Sequence, residues 1–234
     1  ELESNKNMQN MFLSKATFII EKVCWRHINI FISVSDAIIL WYKKYFGLKE
    51  SILILNSPFV DKDKSKLLDE NNLRKIFKIN KDKLIFTYVG DLCFGRGIDF
   101  LLDIFSESNF KSHIVFIGNG FLENKIKSIS KINSNIHLHK KVPHNQVVNL
   151  IKSADIGICI IENVSLSDYY CLPNKLFEYS FAGLRIIGSD FPEISNYILS
   201  NKLGEVCKIN FESINKAIGI LEKQGLKKVN ANLK

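Results

Sequence analysis

Four short, mostly apolar runs recur along the chain, Leu84–Val89, Ile114–Ile117, Ile156–Ile161 and Leu184–Ile187, separated by stretches of helical period. Runs this short and this rich in β-branched residues read as parallel strands buried on both faces. Between the first two, Ile98, Leu101, Leu102 and Phe105 fall at i, i+3, i+4 and i+7, and Leu122, Ile126 and Ile129 repeat the pattern after the second run. Each stripe predicts a helix laid on the sheet. Strand alternating with helix, with right-handed crossovers, predicts an α/β fold with a Rossmann-like, doubly wound parallel sheet over residues 81–234.

The first third reads differently. Helices are predicted over Met8–His27 and Asp36–Phe46, and strands over Asn29–Val34 and Ser51–Leu55. Asn56, Ser57 and Pro58 then end the pattern, and a Lys/Asp-rich polar stretch follows from Asp61 to Asn72. This divides the chain into residues 1–60, a linker with a lead-in helix at 61–80, and the domain at 81–234.

Charge narrows the function classes. The net charge is +8, but it comes from 28 Lys against 4 Arg, and no block of basic residues is present. Arg is the side chain that grips phosphates and bases bidentately, so this surplus suits a solvated surface or a face resting on anionic lipid, and nucleic acid is not expected as a partner. Five cysteines, Cys24, Cys93, Cys159, Cys171 and Cys207, are odd in number and form no CxxC pair, which suits reduced thiols in the cytoplasm. The longest apolar stretch, Ile28–Trp41, is broken by Ser33, Ser35 and Asp36 and is too short to span a bilayer. The chain starts at Glu1, and we read it as part of a longer protein.

In a doubly wound sheet, ligands sit beyond the carboxyl ends of the strands, so the residues just after each run are the informative ones. After Val89 comes Gly90-Asp91-Leu92-Cys93-Phe94-Gly95-Arg96-Gly97. Its glycines allow close backbone approach, and Arg96 stands where helix N–H groups favour an anion; a Gly-rich turn with a surface Arg is the plainer alternative. After Ile117 comes Gly118-Asn119-Gly120, a second strand-to-helix turn. His137 and His139, two apart, share one strand face and invite a metal, but with no acidic or Cys partner nearby they read, with His144, as ordinary polar positions; no metal is expected. The fullest signal runs from Leu172 through Pro173, Asn174, Lys175, Leu176 and Glu178 to Gly183. Pro173 sits like a first-turn proline, leaving the N–H groups of Asn174, Lys175 and Leu176 to cradle an anion, and Glu178 one turn on is placed to accept from the hydroxyls of a ribose.

The blocks YVGDLCFGRGIDFLLDIF, IVFIGNG, HKKVPHNQVVNLIKSADIGI and LPNKLFEYSFAGLRIIGSD, in that order, resemble the carboxyl-terminal domain of retaining nucleotide-sugar glycosyltransferases of the GT-B class, the group 1 or family four type. The likeness covers Leu73–Leu221, and Ile28–Phe59 is similar to the last strand-helix-strand of the family's amino-terminal domain, most of which would lie outside the chain. The resemblance implies one half of a GT-B architecture, a nucleotide-diphosphate sugar as donor substrate, no cofactor, and a saccharide or lipid-linked saccharide as acceptor. It puts the phosphate-gripping cation on Arg96 and Asp91 where the family has a second basic residue. Its two glutamates map to Tyr170 and Glu178, so only the ribose-holding one is kept, and Tyr170 stands at the sugar-contacting position. Gly90 and Gly118 then border the donor, and Arg96, Lys175 and the helix N–H groups stabilise the departing diphosphate. Members with a PNK-xx-EY block imply bacterial surface polysaccharide assembly at the inner face of the membrane. A nucleotide-sugar epimerase of the same architecture, or a non-catalytic nucleotide-sugar-binding subunit, are the alternatives.

Overall fold

The computed structural model of the chain describes residues 8–56, 72–107 and 111–225. Six parallel strands, whose first is the third strand of the chain, make the main sheet. They are β3 (Ile85–Val89), β4 (His113–Ile117), β5 (Ile136–His139), β6 (Ile156–Cys159), β7 (Arg185–Ser189) and β8 (Gly204–Cys207), in the spatial order β5-β4-β3-β6-β7-β8. That order winds outward from β3 in both directions, the doubly wound arrangement expected from the sequence.

Each strand splits its side chains between two cores because successive residues face opposite ways. On one face Ile85, Val89, Val115 and Ile117 meet α6 (His144–Ile151), α8 (Asn174–Phe181) and α9 (Pro192–Ser200) through Ile151, Leu176, Phe177, Ile194 and Ile198. On the other, Phe86, Tyr88, Ile114 and Phe116 meet α4 (Ile98–Glu107), α5 (Glu123–Ile132) and α10 (Phe211–Gln224) through Leu101, Phe105, Ile126 and Ile218. Each such side chain, at most 7 % exposed, contributes about 1.5–3 kcal/mol relative to its exposed state. The stripe Ile98, Leu101, Leu102 and Phe105 is buried as its spacing predicts.

The edge strands β5 and β8 are less apolar than the runs that announced the fold. IHLH and GEVC each bury one residue of four, because an edge strand has a neighbour on one side only.

Residues 8–56 form α1 (Met8–Trp25), β1 (Ile30–Ser33), α2 (Asp36–Phe46) and β2 (Glu50–Leu53), with β1 and β2 paired in parallel. Trp25, 5 % exposed, ties them together: its ring stacks on Tyr42 at 5.4 Å and meets Phe31 edge-on at 5.2 Å. This unit docks on the main domain through polar bonds at the start of α2. Ser35 caps that helix by accepting from the Ile38 N–H at 3.2 Å, and its own hydroxyl donates to the Tyr170 carbonyl at 2.7 Å. The Ala37 N–H donates to Glu193 on α9 at 2.5 Å. The polar stretch read as a linker lies outside the described residues except for Asn72, which caps α3 (Leu73–Ile76) by accepting from the Arg74 N–H at 2.9 Å. Among the described residues, no helix is long and apolar enough to cross a membrane.

Candidate functional site

The strand order reverses between β3 and β6, and these two neighbours pair over only Phe86↔Ile156 and Thr87↔Gly157. Beyond that point Tyr179 fills the gap. Its buried hydroxyl donates to the Ile158 carbonyl at 3.0 Å and accepts from the Val89 N–H at 3.0 Å, replacing the ladder bonds the strands no longer share. The ring fits because residue 157 is glycine: a Cβ there would lie 2.3 Å from it. Tyr179 belongs to α8, so this pin fixes that helix against the switch point. The first turn of α8 is thereby held over the carboxyl ends of the strands.

Two glycine loops close the opposite side. A Cβ on Gly118 would meet the Gly90 carbonyl at 1.9 Å, so the loops after β3 and β4 touch backbone to backbone, and Leu92 joins them by donating to the Asn119 carbonyl at 2.9 Å. Between these loops and α8 opens a cleft of about 560 Å³, whose walls include Gly90, Arg96, Gly118, Asn174, Lys175 and Glu178. Pro173, Lys141, His144 and Asp168 also reach it.

The charges in the cleft are already partly matched. Arg96 Nη1 lies 2.8 Å from Asp168 Oδ1, on the short helix α7 (Leu166–Tyr169), and Asp168 Oδ2 in turn accepts from the Ser165 hydroxyl at 2.8 Å. The Gly97 N–H, just before α4, donates to Glu162 at 3.1 Å, so the anion-favouring start of that helix holds a carboxylate of the protein itself. The start of α8 is different. The Asn174 and Lys175 N–H groups have no acceptor among the described residues, and the Lys175 ammonium rests 4.0 Å from the centre of the Tyr88 ring. One turn on, the buried Glu178 carboxylate meets His144 Nδ1 at 3.0 Å. Burial pushes the Glu178 carboxyl up from its ordinary range, opposed by His144 and Lys175. Cys171, on the wall, donates to the Asp168 carbonyl at 2.9 Å, and burial pushes its thiol up to about 11, so it is no thiolate at neutral pH.

Among the expected site residues, the structure therefore brings Gly90, Arg96, Gly118, Pro173, Asn174, Lys175 and Glu178 to one cleft. Three details differ from the sequence reading. Pro173 is the residue before the helix, with φ −77° and ψ 145°, and Asn174 is the first helical one. The Leu176 N–H is not free, because it donates to the Pro173 carbonyl at 3.1 Å, and its side chain is in the core. Tyr170 is not among the wall residues; it ends α7, and its carbonyl receives Ser35. His137 pairs with His113 at 3.0 Å and meets Phe77 at a tilt, 4.7 Å between ring centres, away from the cleft, while His139 Nδ1 lies 2.7 Å from the Lys140 carbonyl. Sequence reasoning missed Glu162, Asp168 and Tyr179, and gave His144 no role.

A family profile described as "Glycosyl transferases group 1" matches residues 69–233, well over half of the chain and all of the cleft. The chain belongs to the group 1 glycosyl transferases. Among curated proteins, none matches it by sequence. Solved structures share the fold of this group 1 chain. WaaG, a glycosyltransferase involved in lipopolysaccharide biosynthesis, superposes with a TM-score of 0.59 at 16 % identity, over 80 % of this chain and 53 % of its own. Sucrose-phosphate synthase from Thermosynechococcus elongatus gives 0.67 at 13 % identity, over 89 % and 53 %. HepE from Anabaena, solved with UDP and glucose, gives 0.63 at 11 % identity, over 94 % and 64 %. The chain thus spans about half the length of the first structures it matches. These neighbours share the GT-B half-domain architecture read from the sequence.

Proposed function

We propose that the chain is the donor-binding half of a retaining glycosyltransferase that takes a sugar from a nucleotide diphosphate and passes it to a saccharide or lipid-linked saccharide of a bacterial surface polysaccharide. One observation carries this reading. A single cleft, within the stretch matched to the family, holds three cations (Arg96, Lys141 and Lys175), two unpartnered helix N–H groups and a buried carboxylate one turn further on. Diphosphate chemistry needs the first two, and a nucleoside ribose the third. HepE, which shares the fold, was solved with UDP and glucose, which supports a nucleoside diphosphate sugar as donor.

In this reading the bond between the anomeric carbon and the diphosphate oxygen breaks, and the electron pair stays on that oxygen. Lys175 and the N–H groups of Asn174 and Lys175 meet the growing charge, with Arg96 joining once it exchanges Asp168 for phosphate. The incoming hydroxyl bonds to the same face of the anomeric carbon and passes its proton to the departing diphosphate oxygen. Tyr170, outside the cleft wall, takes no part in holding the nucleotide. The chain alone binds donor and transfers nothing, because the acceptor side of such a cleft comes from the other domain. The whole protein works in the cytoplasm at the inner membrane face, and the Lys surplus gives it a salt-sensitive hold on anionic lipid.

The test takes two stages. A panel of nucleotide sugars is screened by thermal shift on the 234-residue chain, since a ligand above its dissociation constant raises stability. The whole protein is then given the selected donor with and without acceptor. Nucleotide release that depends on acceptor, with the anomeric configuration of the donor kept in the product, is the expected result. A 2-epimer formed without acceptor, or binding with no turnover, contradicts it.

A further inference from the structure

Glu178 is the most enclosed carboxylate of the cleft, its side chain 5 % exposed against 20 % for Asp168. Only one of its oxygens is engaged. Oε1 lies 3.0 Å from His144 Nδ1, and Oε2 has no hydrogen-bond partner among the described residues. His144 opens α6 and is 66 % exposed, and its Nδ1 reaches a carboxylate that solvent barely touches.

A buried carboxylate with no cation beside it tends to take up a proton, and a carboxylic acid is a poorer acceptor for two hydroxyls than a carboxylate. The groups able to oppose that uptake can be named. Lys175 lies on the same helix, Lys141 comes from the loop before α6, and Arg96 from the loop after β3; Asp91 and Asp168 on the same walls act the other way. Arg96 is committed to Asp168 and Lys175 rests on Tyr88, which leaves His144 as the group in direct contact with Glu178.

We propose that His144 is the positioning residue for Glu178: its ring N–H holds Oε1, favours the carboxylate over the acid and turns Oε2 toward the nucleoside hydroxyls. This rests on the reading of Glu178 as the ribose acceptor.

UDP is the probe, titrated calorimetrically into the 234-residue chain at neutral pH. His144→Gln, His144→Lys, Glu178→Gln and the Gln/Gln double variant are compared with the parent. His144→Gln is expected to weaken binding about fivefold, the scale of a partly exposed ion pair. His144→Lys restores affinity. In the Glu178→Gln background, His144→Gln has no further effect. If Glu178→Gln weakens binding but His144→Gln matches the parent, the role given to His144 is wrong and that of Glu178 stands. If Glu178→Gln binds UDP like the parent, the ribose reading fails and the role of His144 falls with it.

Discussion

Arg96 and Asp168 form an ion pair of 2.8 Å across the mouth of the cleft, with 32 % and 20 % of their side chains exposed. The cation expected to grip phosphate is therefore satisfied before any ligand arrives. A diphosphate has to displace Asp168 from Arg96 or share the guanidinium with it.

Asp168→Asn removes the competing charge while keeping the backbone N–H that Ser165 caps at 3.1 Å. Nucleoside diphosphate affinity should rise about threefold to fivefold, the ceiling for a pair this exposed. Calorimetric titration of UDP checks the direction. Weaker binding would mean that Asp168 orients Arg96 for the ligand and does not block it.

Tyr179 and Gly157 hold the switch point open, and their loss should appear as instability. Gly157→Ala places a methyl 2.3 Å from the Tyr179 ring and should cost about 1–3 kcal/mol through overpacking. Tyr179→Phe leaves the buried Val89 N–H without its partner and should cost about 1–3 kcal/mol. Urea unfolding of both variants measures this, and a parent-like midpoint for either would show that the two strands part for another reason.

The His113–His137 pair predicts the acid limb of stability. Burial, and then the neighbouring His113, lower His137 to about 4 in the folded chain, against about 6.5 when unfolded. The unfolded chain therefore takes up the proton first as pH falls. This contribution is intact above about pH 6.5 and is lost progressively down to about pH 4. His137→Phe should flatten that part of the profile in denaturation midpoints taken from pH 8 to 4. An unchanged slope would assign the acid loss to other groups.

The fold was legible because the inner strands are buried on both faces and must be apolar: Ile114–Ile117 and Ile156–Ile161 announce themselves. The edge strands β5 and β8 are not obliged to be apolar and were correspondingly quiet. The same division runs through the site. Gly90, Arg96, Lys175 and Glu178 stand at strand ends or a helix start, where chain order alone places them near a ligand. Their partners come from far along the sequence: Asp168 reaches Arg96 over 72 residues, and Tyr179 reaches Val89 over 90. No local pattern marks such pairs, because only the closed sheet brings them together. Leu176 shows the opposite error, since a first-turn N–H looks free in a sequence until the backbone tightens onto the Pro173 carbonyl.

The central claim is that the opening between β3 and β6 binds a nucleoside diphosphate through Arg96 and the start of α8. Calorimetric titration of the 234-residue chain with UDP, GDP and ADP, repeated on Arg96→Ala and Lys175→Ala, tests it most directly. We expect one of the three to bind saturably, with each substitution weakening it by about 1.5–3 kcal/mol, the range for a charged hydrogen bond, and leaving the unfolding midpoint in place. Binding of none of them, or equal binding by the parent and both variants, would contradict the account.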